Sequence, residues 1–427
     1  MRDDLSELIF DWNAADDSTP AAATARVVEL DDETLRDGLQ SPSVLDPSID
    51  DKIRILNLMA ELGIQAVDLG LPGAGARAVE DVRALAREIV AAKLPLDPNC
   101  AARTVRADVE PIARISQETG LSIEAATFIG SSPVRQYAED WTLERMLKAT
   151  EEAVTFAVAE GLRVMYVTED TTRAAPDTLK ALYTRAIECG ARRICLADTV
   201  GHATPGGVRR LVRFIREEVV APTGVAVKID FHGHRDRGLG IANALAAVEA
   251  GVDRVHGSAL GIGERVGNAE MDLLLVNFKL LGLHRGDLTK LTEYCETVSR
   301  ATGVPIPPNY PVMGADAFRT ATGVHAAAIV KARQKGDDRL ADLVYSGVPA
   351  GMFGRRQRID ISHMSGMSNV RCWLEEHGYD AADEGLAQRL FEHAKRTDHT
   401  LTAEECRAVC QAHGAHPRTP PIAHRSP

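Results

Sequence analysis

Two histidines separated by one residue give the clearest chemical signal in this sequence. His232 and His234 close the segment AVKIDFHGH (226–234), whose β-branched and aromatic residues predict a strand. Residues i and i+2 of a strand point to the same side, so both imidazoles face one way. Two surface histidines at a strand end are the alternative. With a carboxylate from another strand, for which Asp37 is the candidate, the pair predicts a divalent-metal site with open positions for water or substrate.

Other polar side chains also follow predicted strands. Arg36 and Asp37 come after the first strand, Glu169 and Asp170 close the fifth, and Thr199 follows the sixth. A guanidinium beside a metal ion would stabilise the oxyanion that forms when a carbonyl is attacked, although a surface ion pair is the alternative. The Thr199 hydroxyl could cap the strand end or bind a substrate carboxylate. Together these residues predict metal-assisted attack on a carbonyl group.

The residues recur at strand ends because the chain repeats one unit eight times. Amphipathic segments such as 51–63 and 142–161 separate short β-branched runs, and several of these segments end in a glycine, for example Gly63. The predicted strands are 25–32, 66–71, 96–102, 122–129, 163–170, 192–199, 226–234 and 253–260. Eight such units predict an α/β fold, a closed (β/α)8 TIM barrel whose active site lies at the carboxyl ends of the strands. The alternative, a doubly wound open sheet, would need a Gly-rich phosphate loop after the first strand.

The strand–helix alternation stops after about residue 283. The segment PIPPNYP (305–311) predicts a rigid linker, and short helical patterns follow it. These patterns cover 316–334, 368–378, 384–396 and 402–413. The expected organisation is an amino-terminal extension (1–24), a catalytic barrel (25–283), a linker with a small, mostly helical subdomain (284–413) and a disordered tail (414–427).

Composition argues against several classes of partner. A net charge of −12 and a pI of about 5.6 disfavour binding to nucleic acids and to anionic membranes. The amino terminus is acidic where a secretory signal is basic, and no stretch approaches the roughly 18 apolar residues of a transmembrane helix. The seven cysteines include no CxxC pair and predict reduced, packed thiols. We therefore expect a cytoplasmic protein with no nucleic-acid or membrane partner.

Six motifs in order resemble the DRE-TIM metallolyase superfamily, in particular its branch of 2-isopropylmalate, homocitrate and citramalate synthases. They are ETLRDGLQSPS (33–43), TFIGSSP (127–133), TEDTTR (168–173), LADTVG (196–201), FHGHRDRGLGIANALAAVEAG (231–251) and GIGERVGNA (261–269). The resemblance covers about residues 25–380. It implies an acyltransferase of amino-acid biosynthesis that condenses acetyl-CoA with a 2-oxo acid and releases CoA with a 2-hydroxy di- or tricarboxylic acid.

The resemblance also assigns roles to single residues. It implies metal ligation by Asp37, His232, His234 and Asn268, catalysis by Arg36, Glu169, His325 and Tyr345, and substrate contacts from Gln40, Asp68, Ala126, Thr199 and Arg235. The ion would be zinc, manganese, magnesium or cobalt. His325 lies in a segment (315–332) similar to one that enters a neighbouring subunit's active site. A homodimer with shared active sites is therefore implied, with His325 as the base and Glu169 orienting it.

Several positions depart from the family's pattern. The family usually has His at the position of Ala126, Asn at Arg235 and Glu at Asp68, all near the 2-oxo acid. These changes predict a rebuilt substrate pocket. Arg235 could bind a second carboxylate of an acidic 2-oxo acid or pair with Asp236. The proline after Tyr345 is also one residue closer than the family's pattern has it.

Three alternatives to a synthase make different predictions for the same sequence. An acyl-CoA lyase of the superfamily would carry a catalytic cysteine in the loop after the eighth strand, where this chain reads GIGER (261–265). An aldolase would have no use for the carboxyl-terminal subdomain. A barrel that serves only as a scaffold would gain nothing from a metal-ligand cluster. Bound divalent metal is the observation that separates an enzyme from a scaffold.

Overall fold

The computed structural model describes residues 8–10, 12–13 and 27–418, and the chain forms two compact units. The barrel unit comprises Asp17–Asp287 and Tyr294–Pro305. The carboxyl-terminal unit comprises Leu288–Glu293 and Ile306–Pro427, together with Met1–Asp16. Most of the predicted amino-terminal extension lies outside the described residues, as does the predicted disordered tail from residue 419 onward.

The barrel unit is built on a closed barrel of eight parallel strands. Strands pair in chain order, and β8 returns to β1 with Arg254 opposite Glu29 and Gly257 opposite Asp32. The strands are β1 Glu29–Asp32, β2 Ala66–Asp68, β3 Asp97–Arg103, β4 Glu124–Gly130, β5 Arg163–Glu169, β6 Arg193–Asp198, β7 Lys228–Gly233 and β8 Arg254–Gly257. Each strand lies on or within one residue of a predicted one, so the TIM-barrel prediction is confirmed.

Helices alternate with these strands. They are α1 Ile49–Glu61, α2 Ala76–Ala92, α3 Arg106–Thr119, α4 Pro133–Ala138, α5 Leu143–Ala159, α6 Pro176–Glu188, α7 Pro205–Phe214, α8 Gly240–Ala250, α9 Met271–Leu280 and α10 Leu291–Thr302. Helix α7 continues through a π-helical turn, Ile215–Val220, into Ala221–Thr223. Within the described residues, no helix has the length and apolar character needed to cross a bilayer.

Helix α1 shows how the sequence sets these elements. The Ser48 hydroxyl accepts a hydrogen bond from the backbone N–H of Asp51 at 3.2 Å, which caps the first turn. Ile55 and Met59, one helical turn apart, are fully buried. The predicted Gly63 follows with φ of +72°, a conformation that glycine adopts without strain, and reverses the chain toward β2.

The amino-terminal ends of the strands enclose a buried ionic cluster inside the barrel. Arg254 is 1% exposed, and its guanidinium nitrogens lie 3.0 Å from Glu29, 3.2 Å from Asp31 and 3.3 Å from Asp97. We call this group the lower cluster, which consists of Glu29, Asp31, Asp97, Glu124, Arg193, Asp230 and Arg254. It fills the barrel interior at the end where the strands begin.

The carboxyl-terminal unit is mostly helical, as predicted. Two short parallel strands, β9 Arg319–Thr320 and β10 Arg358–Ile359, accompany helices α11 Gly323–Gln334, α12 Asp338–Leu343, α13 Met367–Glu376, α14 Glu384–Ala394 and α15 Ala403–Ala412. The helix predicted for 316–334 begins only at Gly323. The predicted start at residue 316 was wrong because residues 319–320 pair with β10 instead. Trp373, Leu374 and Leu390 belong to the core of the unit.

Candidate active site

Asp37, His232 and His234 converge where the strands end. His232 lies in β7 and His234 directly follows that strand, while Asp37 begins the short turn Asp37–Gln40 after β1. The Nε2 atom of each histidine lies 3.7 Å from Oδ2 of Asp37. The three side chains are buried, and their ligand atoms lie within 4.8 Å of one another. This spacing is too long for hydrogen bonds and suits three atoms that surround one ion.

The donor set fits a divalent cation. Burial, reinforced by the neighbouring His232, lowers the pKa of His234 to about 4, so its imidazole is neutral, the form that binds metals. Asn268 donates from Nδ2 to Oδ1 of Asp37 at 3.1 Å. Its Oδ1 is buried and has no hydrogen-bond partner in the described part of the chain. Asn268 therefore holds Asp37 in place and leaves an oxygen available for an ion. We call these four residues the mouth site.

Glu33 supports the mouth site and was not among the predicted site residues. Its Oε1 lies 3.1 Å from Nδ1 of His232 and 2.6 Å from Nδ1 of His256, and its Oε2 pairs with Arg36. Burial opposes ionisation of Glu33, but the charges of Arg36 and His232 hold its pKa well below the usual value. A carboxylate on Nδ1 fixes the ring and leaves Nε2 of His232 to face Asp37. The sequence signal that could have identified Glu33 is side-chain alternation along β1, because Glu33 comes two residues after Asp31.

Arg36 joins three acidic side chains. Its Nε lies 2.7 Å from Asp68 and its Nη1 3.0 Å from Asp37, while Nη2 pairs with Glu33. Burial raises the pKa of Asp68 to about 7, although Arg36 opposes this shift. The geometry fixes the guanidinium beside the metal-ligand group, where it can donate to an oxygen that gains negative charge.

Apart from Asn268, these groups line a cavity of about 250 Å³ within the barrel unit. Its remaining polar lining residues are Gln40, Glu169, Thr199, His256, Glu264 and Arg265. Its apolar lining residues are Leu71, Ala101, Ala126, Phe128, Met165, Val167, Cys195 and Ala197. The cavity therefore combines a candidate metal centre with an apolar wall.

Thr199 and Glu169 both lie on this cavity. The Thr199 hydroxyl accepts from the backbone N–H of Asp170 at 2.8 Å, which leaves its own hydrogen free to donate. Burial raises the pKa of Glu169, and Arg135, whose Nε is 4.0 Å from Oε2 of Glu169, acts against that rise. Arg265 donates to the Thr199 carbonyl at 2.7 Å. Thr199 thus combines the strand-end contact with a hydroxyl that lines the cavity and can donate a hydrogen bond.

Comparison with known proteins connects this site to a family. The HMGL-like family model matches residues 27–298. The chain belongs to the HMGL-like family. Two proteins of Methanopyrus kandleri are among those similar to this chain. A probable 2-isopropylmalate synthase is 33% identical over 84% of this chain and 68% of its own length. Homocitrate synthase AksA is 34% identical over 84% of this chain and 85% of its own length.

The fold of this HMGL-like chain also occurs in solved structures. A Bacillus subtilis HMG-CoA lyase structure has a TM-score of 0.55 and 20% sequence identity, covering 66% of this chain and 96% of that one. At this identity the likeness concerns the fold alone. The resemblance to the DRE-TIM superfamily and to its branch of 2-isopropylmalate, homocitrate and citramalate synthases is confirmed by the family match and the named relatives.

Four of the predicted site residues are not among those that line the cavity, namely Asn268, Arg235, His325 and Tyr345. Arg235 donates to the Val266 carbonyl at 2.8 Å and pairs with Glu270. Its alternative partner Asp236 instead pairs with Arg265, at 2.8 Å. His325 and Tyr345 belong to the carboxyl-terminal unit, where both are exposed. Their ring centroids lie 4.2 Å apart.

Proposed function

We propose that this chain is a metal-dependent condensing enzyme that joins acetyl-CoA to a 2-oxo acid. The observation that carries the proposal is the convergence of Asp37, His232 and His234 beside Arg36 on a cavity. Relatives named 2-isopropylmalate synthase and homocitrate synthase, which match most of the chain, support this activity over that of a lyase. The products would be a 2-hydroxy acid, extended by one carboxymethyl group, and CoA.

The mouth site would hold the divalent ion through Asp37, His232 and His234, with Asn268 as a further ligand. When bound there, the ion supplies Lewis-acid polarisation of the keto group. Arg36 donates hydrogen bonds to the keto oxygen as it becomes an alkoxide. The Thr199 hydroxyl and the Gln40 amide bind the carboxylate of the 2-oxo acid.

Other residues would carry out the proton transfers. The methyl group of acetyl-CoA loses a proton to His325, which Glu169 orients, and the resulting carbanion forms a bond to the keto carbon. The keto oxygen takes up a proton. Water then adds to the thioester, the C–S bond breaks, and a carboxylate and the CoA thiol are released. Tyr345, whose ring lies beside His325, supports the orientation of this base.

We further propose that two subunits share each active site, with His325 of one subunit serving the mouth site of the other. The exposure of His325 and Tyr345 supports this arrangement. A heterodimer of Asp37→Asn and His325→Ala chains, isolated through two different tags, would contain one complete site. We expect it to regain about half of the wild-type activity while both variant homodimers stay inactive. An inactive heterodimer would contradict shared sites.

The lining of the cavity favours an apolar side chain on the 2-oxo acid. Ala126, Met165 and Cys195 form a small apolar cluster there, with Val167 packed against it. Arg235, the candidate for binding a second carboxylate, pairs with Glu270 instead. A second carboxylate would also meet the acidic side chain of Glu169. We therefore propose an aliphatic or aromatic 2-oxo acid rather than 2-oxoglutarate or oxaloacetate.

The test is to measure release of the CoA thiol from acetyl-CoA with a panel of 2-oxo acids. The panel contains 2-oxoisovalerate, phenylpyruvate, pyruvate, 2-oxoglutarate and oxaloacetate, each with and without a chelator. Chelator-sensitive release that is fastest with 2-oxoisovalerate or phenylpyruvate is expected. Release without any 2-oxo acid dependence, or none at all from metal-loaded protein, would overturn the condensing activity. Preference for 2-oxoglutarate would overturn only the substrate class.

A further inference from the structure

The carboxyl-terminal unit contains a second cavity, of about 770 Å³. All of its lining residues belong to that unit. The basic ones are Arg319, Arg333, Arg355, Arg356, Arg358 and Arg407, and the acidic ones are Asp338, Asp342, Asp360 and Glu376. The formal charge of this lining is therefore positive, whereas the whole chain has a net charge of −12. We call this cavity the arginine pocket.

The acidic groups of the arginine pocket are largely engaged. Nε of Arg319 lies 2.6 Å from Asp360, and Nη1 of Arg333 lies 2.7 Å from Glu376. Asp342 accepts from the backbone N–H of Gly351 at 2.9 Å. Two of the six arginines are thus neutralised by acids that line the same pocket.

Arg358 is a further source of positive charge. Its neighbour Arg355 donates to the carbonyl oxygens of Met313 and Gly314, at 3.1 and 3.2 Å. Arg358 extends from β10, and its exposed side chain makes no ion pair with any other described residue. Guanidinium groups in such positions favour carboxylate or phosphate ligands, which accept two parallel hydrogen bonds.

A buried amide gives a second, independent indication of a ligand. Gln357 is 8% exposed and lines the pocket, and its Nε2 is buried without a hydrogen-bond partner among the described residues. Buried amide nitrogens are nearly always paired, because leaving one unpaired is costly. The nitrogen is a donor, so its missing partner is an acceptor, as a carboxylate or phosphate oxygen is.

We propose that the arginine pocket binds a small organic anion through carboxylate or phosphate oxygens. Gln357 donates to one oxygen from Nε2, and Arg358 supplies positive charge. Trp373 and His377, whose rings stack 4.0 Å apart at an interplanar angle of 15°, also line the pocket. The indole of Trp373 therefore provides an optical signal for occupancy.

The test uses the full-length chain with Trp373 as its only tryptophan, made by Trp12→Phe and Trp141→Phe. Inorganic phosphate and tricarballylate, a tricarboxylate, are titrated separately at constant ionic strength while Trp373 fluorescence is recorded. A saturable change is expected with at least one probe. Arg358→Gln and Gln357→Leu should each weaken its binding by about tenfold or more. Arg389→Gln, which removes an exposed arginine of α14 outside the pocket, is the matched control and should leave binding unchanged.

Each outcome decides the proposal. A response to phosphate alone indicates a phosphate-bearing ligand, and a response to tricarballylate alone indicates a polycarboxylate. No saturable response to either probe would overturn the proposal. An equal loss with Arg389→Gln and Arg358→Gln would also overturn it, since it would indicate a general charge effect. Unchanged far-ultraviolet circular dichroism and unchanged fluorescence without probe verify that each variant is folded.

Discussion

Buried charges occur at both ends of the barrel interior, and the two groups differ in their partners. In the lower cluster every carboxylate lies within 3.5 Å of a nitrogen of Arg193 or Arg254. In the mouth site, Nε2 of His232 and of His234 lie 3.7 Å from Asp37, and the Asn268 oxygen is unpaired among the described residues. Every carboxylate of the first group thus has an arginine close by, whereas the second group has ligand atoms with no cation among them.

This difference decides which acidic and histidine groups can hold a metal ion. Asp31, Asp230 and His256 also lie close enough together to bind one. However, Nε2 of His256 is 3.2 Å from Asp230, and Arg254 pairs with Asp31. Although burial opposes it, Asp31 and the hydrogen bond to Asp230 raise the pKa of His256 to about 10. A protonated imidazole offers no lone pair, so proximity alone does not make a metal site.

Removing a ligand from the mouth site should have the largest effect on activity. Asp37→Asn keeps the size of the side chain and removes its charge. Because bound metal contributes several kcal/mol of transition-state stabilisation, CoA release should fall by about a thousandfold or more. Thermal unfolding of the metal-free variant should match that of the metal-free wild type. If the Asp37→Asn variant were active, the mouth site would not be needed for catalysis, and it would no longer differ in this way from the lower cluster.

Removing a cation from the lower cluster should act on stability instead. Arg254→Met removes the arginine that pairs with the fully buried Asp31 and one of the cations near Asp230 and Glu124, and should lower the free energy of unfolding by about 3 to 5 kcal/mol. Denaturant unfolding measures this change. Arg209→Met is the matched control, because Arg209 pairs with Glu249 at the surface, and should cost less than about 1 kcal/mol. Equal losses in the two variants would show that the lower cluster is not a structural core.

Glu33 contacts His232 of the mouth site and His256, whose other ring nitrogen lies 3.2 Å from Asp230 of the lower cluster, so it tests the boundary between the two groups. Glu33→Gln should weaken metal binding by about 10- to 100-fold, because the carboxylate that orients His232 loses its charge. Asp198→Asn is a suitable comparison, since Asp198 is buried at the end of β6 but is not among the residues that line the cavity. Metal titration followed by calorimetry would give both affinities. If the Glu33→Gln variant bound metal with wild-type affinity, Glu33 would not support the mouth site.

The smallest expected effect concerns the pH dependence of activity. Arg135 favours the charged form of Glu169, whose pKa is raised by burial. Arg135→Gln should raise that pKa further, so the acidic limb of the pH–rate profile should move to higher pH. Because Arg135 is exposed, the change corresponds to less than about 1 kcal/mol, or about fivefold in rate on that limb. Arg145→Gln is the control, and an unmoved limb would separate Glu169 from the rate-limiting proton transfer.

Local patterns in the sequence were sufficient for the barrel and for the two histidines. Periodicity located all eight strands, and strand alternation placed His232 and His234 on one side. Contacts between distant segments were harder to predict from the sequence. Glu33 meets His256 because β8 closes the barrel against β1, which no local pattern contains. Likewise, residues 319–320 form a strand through pairing with β10, although their own pattern continues that of the following helix.

Helix α10 is a second element that depends on a contact between distant segments of the chain. It lies before the predicted linker 305–311, in a stretch for which the sequence patterns predicted no helix. Its residue Tyr294 is fully buried and donates from its hydroxyl to Asp32 of β1. The direction of Arg235 was also beyond prediction, because it follows the end of β7, where strand alternation no longer determines side-chain orientation.

We expect one metal ion to bind at the mouth site and none at the lower cluster. The most direct test is equilibrium titration of chelator-treated wild type, Asp37→Asn and Arg254→Met with Zn²⁺ or Mn²⁺, followed by calorimetry. We expect one ion per wild-type chain, an affinity at least about 100-fold weaker in Asp37→Asn, and wild-type affinity in folded Arg254→Met. A wild type that binds no ion, or an Asp37→Asn variant that binds as tightly as the wild type, would contradict the account.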